Sequence, residues 1–203
     1  TIPEYFKKVV RGSNMFRTVI KERHPKRDLT NINRFRIKLD ADPQKQQIVT
    51  ALKHCHSRII PKDDIDYKIR AILGKTQFNA SLLHWNRAVT SSACYRCGIK
   101  EDFKHACFLC PEALSLYTSI YQTLELTPNI TITNMLLGHQ RPCYIGDQKM
   151  RNEELDIIDL VSTMTLGHIL KARSSNTALS PPSLLISIKG QMSVIKDKMP
   201  KYM

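Results

Sequence analysis

The chain has 203 residues, with 31 Lys+Arg against 18 Asp+Glu, a formal net charge of +13. Hydrophobic residues at 42% and charged residues at 24% are values of a folded chain and exclude wholesale disorder. No run approaches the ~18 apolar residues that a membrane span needs, and the opening TIPEYFKKVV lacks the apolar centre of a secretory signal.

The charge is concentrated near the start. Residues 1–90 carry 19 Lys+Arg and 8 Asp+Glu, whereas 91–203 carry 12 and 10. Within 7–38 only Glu22 and Asp28 oppose eleven basic residues, and Phe6, Phe16 and Phe35 are interleaved with them. Basic side chains displace counterions from phosphates, and aromatic faces can stack on unpaired bases. Lys7, Lys8, Arg11, Arg17, Arg34 and Arg36 are therefore candidate nucleic-acid contacts. KERHPKR at 21–27 also has the composition of a nuclear import signal.

Helix signals then follow one another. Asp42-Pro43 is a cap and first-turn pair opening a helix with Ile48, Leu52 and Ile59 on its apolar face. Asp63, Asp64 and Asp66 open a second, through Tyr67, Ile69 and Ile72 to Gly74. Residues 76–87 form a third, with Phe78, Leu82 and Trp85 for burial. Pro111 starts a fourth with Leu114, Tyr117, Tyr121 and Leu124 at helical spacing. The longest spans 151–173, and Ser180 before Pro181-Pro182 caps a last one toward Met199. Loops are expected at 24–34, 86–93, 139–149 and 174–182. Alternating β-branched runs and Asn-Gly or Asp-Gly hairpin turns are missing. The expected fold is mostly α: several short helices around a CCHC zinc knuckle, with little or no sheet. The expected organisation is a basic helical arm at 1–60, a zinc-binding domain at 61–138, and a helical hairpin at 139–203 packing on it.

Four of the six cysteines, with one histidine, lie in CYRCGIKEDFKHACFLC at 94–110. Cys94, Cys97, His105 and Cys110 supply three thiolates and an imidazole, the soft tetrahedral set that zinc favours. Gly98 permits the chain reversal after the first pair. Cys107 is the alternate fourth ligand. On a continuous helix Cys107 and Cys110 share a face and His105 and Cys110 do not, but Pro111 disfavours helical geometry at Cys110. Four protein ligands leave no open position, so one Zn²⁺ per chain would be structural. Arg96 and Lys100, on the knuckle, are further candidates for nucleic-acid contact.

The arrangement resembles the C-terminal zinc-binding region of non-LTR (LINE-type) retrotransposon reverse transcriptases. The matching positions are Arg70, Gly74, Asn79 and Leu82, then Cys94, Cys97 and Gly98, then Glu101, Asp102 and His105, and finally Cys110 and Pro111. Trp85, Leu116-Tyr117 and the LLGH stretch at 136–139 fit the same pattern. The likeness covers roughly 70–138 and fades over 150–195. It implies an accessory module that helps hold template RNA or target DNA, with the polymerase domain upstream in the same polypeptide. Thr1 then reads as a cut edge.

The aromatic-x-Asp-Asp motif of the polymerase is not found, and Asp63-Asp64 suit helix capping instead. The expectation is a non-catalytic segment of an RNA-directed DNA polymerase. It would be intracellular, in nucleus and cytoplasm, with RNA or DNA and no membrane as partner. The alternative is a zinc-stabilised protein–protein interaction module without nucleic-acid affinity.

Overall fold

The computed structural model describes residues 51, 60–72, 76–84, 89–127, 131–139, 143–145 and 148–198. Contacts divide the chain into Thr1–Arg34 and Phe35–Met203, and every described residue belongs to the second unit. The described part is mostly helical. Helix α1 is Lys62–Ile72, α2 Asn79–His84, α3 Pro111–Thr123, α4 Ile132–Leu137, α5 Asn152–Ser174 and α6 Pro181–Lys198. A π-helical segment, His105–Leu109, precedes α3. Two-residue strands β1 (Tyr144–Ile145) and β2 (Gln148–Lys149) pair antiparallel, Tyr144 opposite Lys149. This small hairpin falls where a plain loop was expected. The helix expected from Asp42 and the position of Trp85 lie outside the described residues, Ala51 excepted.

Helix α5 is the axis of the fold. Its buried residues run all round it, from Leu155 through Ile158, Val161, Met164 and Leu166 to Leu170, as in a helix enclosed by others. It packs against α1, α3, α4, α6 and the π-helical segment. Three hydroxyls that would otherwise be stranded bond back along the same helix: Ser162 to the Ile158 carbonyl at 2.7 Å, Thr163 to Asp159 at 2.7 Å and Thr165 to Val161 at 2.8 Å. The α1 interface is tight at Gly167, where a Cβ would stand 2.3 Å from Asp64 Oδ1. Beside it the buried Lys68 ammonium donates to Thr163 Oγ1 at 2.8 Å.

Helix α3 buries Ala113, Leu116, Tyr117, Ile120 and Tyr121. Leu114, expected on that face, is 49% exposed. The apolar arc is centred on 113, 116, 117 and 120, and Leu114 falls outside it. An aromatic ladder crosses the core: Phe78–Phe103 at 5.7 Å, Phe103–Phe108 at 5.6 Å, Phe108–Tyr117 at 6.3 Å and Tyr117–Tyr121 at 6.1 Å between centroids. Tyr121 Oη and Ser162 Oγ, 2.8 Å apart, join its end to α5.

The LLGH stretch ends α4. Gly138 takes φ 85°, a conformation that favours glycine. Its Cβ would also lie 3.0 Å from Asp159 Oδ2. His139 then places both its backbone N–H and its ring Nδ1 on Asp159 Oδ1, at 3.1 and 2.8 Å.

Burial, with Asp63 beside it, pushes the Asp64 carboxyl from 3.8 to about 6, while Lys171 pulls the other way. A raised carboxyl favours the protonated form in the fold. Its stabilising contribution is full below pH 3.8 and is lost as pH rises through about 6. Asp64→Asn should therefore gain on the wild type as pH climbs from 4 to 7. The expected gain is roughly 1 kcal/mol after discounting for solvent screening. Urea denaturation of both proteins across that range checks it.

Candidate metal centre

The centre is assembled from two local structures. The first is the knuckle over 93–100. Ala93 and Lys100 form an antiparallel bridge. Inside it the Cys94 N–H donates to the Ile99 carbonyl at 2.7 Å, and the Gly98 N–H returns to the Cys94 carbonyl at 2.8 Å. Gly98 adopts φ +77° with open space where a Cβ would stand, so backbone conformation and not crowding selects glycine. The turn aims the Cys94 and Cys97 sulfurs at one point.

The second is the π-helical segment. The Asp102 carboxylate accepts from the His105 N–H at 2.8 Å, capping the turn. The Cys110 N–H then donates to the His105 carbonyl at 2.7 Å, a bond five residues long. In an α-helix, residues five apart point about 140° away from one another. The wider π turn brings His105 and Cys110 back into line. Cys110 leaves the turn extended, at φ −62° and ψ 130°, as the following proline requires, and Pro111 begins α3.

The ligand atoms of Cys94, Cys97, His105 and Cys110 all lie within 4.8 Å of one another. Sulfurs bonded at ~2.3 Å in a tetrahedron stand about 3.8 Å apart, so the spread suits one small ion. His105 Nε2 is the nitrogen facing the cluster, 3.0 Å from Cys97 Sγ. Among the described residues this is the sole group of three or more His, Cys, Asp or Glu side chains placed to hold a metal. Cys107 is not in it. Its thiol is wholly buried in the core, and burial raises its pKa even though Arg173 and Arg96 pull it down. Cys94 is 2% exposed. Burial pushes its thiol to about 11, against the pull of hydrogen bonds from the Arg96 and Cys97 backbone N–H groups. A buried thiolate of this kind needs a cation beside it. The four residues thus fit a structural metal.

A buried polar network ties this centre to the rest. Glu101, 1% exposed, accepts from Arg173 Nε at 2.8 Å and Nη2 at 2.6 Å. The same oxygen, Oε1, accepts from the Asn79 N–H at 3.1 Å, and the Asn79 amide donates to the Ala93 carbonyl at 2.8 Å. The Arg173 guanidinium also lies over the Phe78 ring, 4.7 Å from its centroid. So α2, the knuckle, the π-helical segment and α5 meet at one ion pair. Asn79 and Glu101 stood out in the sequence. Arg173, 72 positions from Glu101, carried no local signal.

The candidate nucleic-acid contacts separate into three groups. Lys7, Lys8, Arg11, Arg17, Arg34 and Arg36 lie outside the described residues. Lys100 is exposed at the knuckle. Arg96 is engaged within the fold: Nε donates to Tyr95 Oη at 2.9 Å, Nη1 to the Ala106 carbonyl at 3.3 Å and Nη2 to the Ile169 carbonyl at 3.0 Å.

Comparison with protein-family models, with curated proteins and with solved structures returned no match. No described helix is long and apolar enough to cross a membrane.

Replacing Arg173 by Met would leave the Glu101 carboxylate buried without its cation. The expected loss of stability is about 3–5 kcal/mol, measured by chemical denaturation. Arg173→Lys should recover only part of it, because an ammonium cannot reproduce both the Nε and Nη2 bonds and the stacking on Phe78.

Proposed function

We propose that this chain is a non-catalytic, zinc-stapled nucleic-acid-binding module, of the kind found beyond the polymerase domain in non-LTR retrotransposon reverse transcriptases. The observation that carries the metal half is the convergence of Cys94, Cys97, His105 and Cys110 within 4.8 Å. Three sulfurs and one imidazole in a closed shell favour Zn²⁺ over harder, oxygen-seeking ions. With every position filled by protein, the ion staples the knuckle to the π-helical segment and activates no water.

The nucleic-acid half is supported by where the charge lies. The described residues carry 13 Lys+Arg against 12 Asp+Glu, so nearly all of the +13 belongs to the remaining residues, chiefly those before position 60. In this reading the stapled helical body is an anchor, and the basic arm with Lys7, Lys8, Arg11, Arg17, Arg34 and Arg36 is the grip. RNA or DNA is the proposed ligand, and a polymerase domain upstream the proposed neighbour in the same polypeptide.

A second reading has an observation of its own. Ile99, Leu109 and Leu114 are exposed by 56, 59 and 49%, close in sequence to the metal ligands. Such residues favour a zinc-stabilised protein-interaction module. A salt titration separates the two. Single-stranded RNA or DNA should bind with a log–log slope of about −0.7 per phosphate neutralised. A flat response, or no binding at low salt, would sink the nucleic-acid reading in favour of the second.

Native mass spectrometry should find one zinc per chain in the wild type. Cys94→Ser and His105→Ala should lose it and Cys107→Ser should keep it. Retention by His105→Ala together with loss from Cys107→Ser would reverse the ligand assignment. Chelation should loosen the region around 90–125, because structural zinc contributes folding free energy directly.

A further inference from the structure

We infer that the metal centre latches the C-terminal helix α6, through the two residues that lie between the first pair of cysteine ligands. This rests on the reading that Cys94, Cys97, His105 and Cys110 bind a metal. Tyr95 and Arg96 occupy the turn between Cys94 and Cys97; Tyr95 reaches the α5–α6 junction and Arg96 reaches α5 itself. The Tyr95 hydroxyl donates to the Thr177 carbonyl at 3.1 Å. Arg96 donates to the Ile169 carbonyl on α5 at 3.0 Å and braces the Tyr95 oxygen from 2.9 Å. Its guanidinium also lies 4.9 Å from the centre of the Tyr95 ring. A third strut comes from α5 itself, where His168 Nε2 accepts from the Ser180 N–H at 3.3 Å.

Helix α6 packs against α3 and α5 along a narrow face. Among its described side chains Leu184 and Ile188 are the buried apolar ones, while Ile186 is 74% and Val194 41% exposed. The knuckle, in turn, is a short turn closed by a few backbone bonds, and its two cysteines point at a shared ion. A metal that fixes both sulfurs fixes the Tyr95 and Arg96 backbone between them, and so presents their side chains to Thr177 and Ile169. Without the ion that turn has far less to define it, and the bonds of Tyr95 to Thr177 and of Arg96 to Ile169 are no longer held in place. Metal occupancy at 94–110 is thereby read out at 175–198, a part of the chain that contributes no ligand.

Hydrogen–deuterium exchange of the full chain tests this, with zinc content followed by native mass spectrometry on the same samples. In zinc-loaded protein, Tyr95→Phe and Arg96→Met should keep one zinc per chain. Amides at 183–194 should nevertheless exchange at least tenfold faster than in the wild type, with α4 unchanged. Tyr95 is 40% exposed, so removal of its hydroxyl does not threaten the core. Stripping zinc from the wild type should speed exchange at 183–194 as well as at 94–110. If both zinc-loaded variants exchange like the wild type at 183–194, the latch is overturned while the metal reading stands. If the wild type holds no zinc, the metal reading fails, and the latch with it.

Discussion

The ion pair between Glu101 and Arg173 is the contact on which the described fold turns. Glu101 lies between the two halves of the metal centre, four residues after Cys97 and four before His105. At 1% exposure its carboxylate depends on a cation. Arg173, from the last turn of α5, supplies it at 2.6 Å. The same carboxylate fixes the start of α2 through the Asn79 N–H, and the same guanidinium covers Phe78, where the aromatic ladder begins. One pair of opposite charges thereby sets the relative positions of α2, the knuckle, the ligand-bearing turn and the long axial helix. A buried pair is a weak source of stability by comparison with apolar packing, but it tolerates very few alternative arrangements. Here that constraint places the proposed zinc staple against α5.

Proline at position 111 has an equally local cause and a wider effect. It forces Cys110 out of helical geometry, and the chain accommodates this by widening the preceding turn into a π segment. The widened turn aligns His105 with Cys110 and leaves Cys107 in the core. A regular helix would have paired Cys107 with Cys110 instead. The choice between ligand sets thus follows from one proline and one five-residue hydrogen bond, and not from the cysteine spacing, which allowed both.

The charge that dominates the composition is nearly absent from the described helical body. Arg96, which looks free in the sequence, is spent on two carbonyls and a tyrosine hydroxyl. A knuckle arginine need not face a ligand, because backbone acceptors brought near by the tertiary fold compete for it.

The sequence by itself determined the elements whose causes are local. The long helix over 151–173 appears as Asn152–Ser174, and Ser180-Pro181-Pro182 opens α6. Asp102 ahead of His105, Gly98 after Cys97 and Pro111 after Cys110 were all legible, because capping, positive φ and proline sterics act within a few residues. The cysteine and histidine positions that converge were legible for the same reason, both ligand pairs being short-range. What only the tertiary structure decided are relations across distance: Arg173 as partner of Glu101, the commitment of Arg96 to α5, the exposure of Leu114, and the seat of His139 on Asp159. Each depends on which helix face meets which neighbour, and residue spacing along a chain does not carry that information.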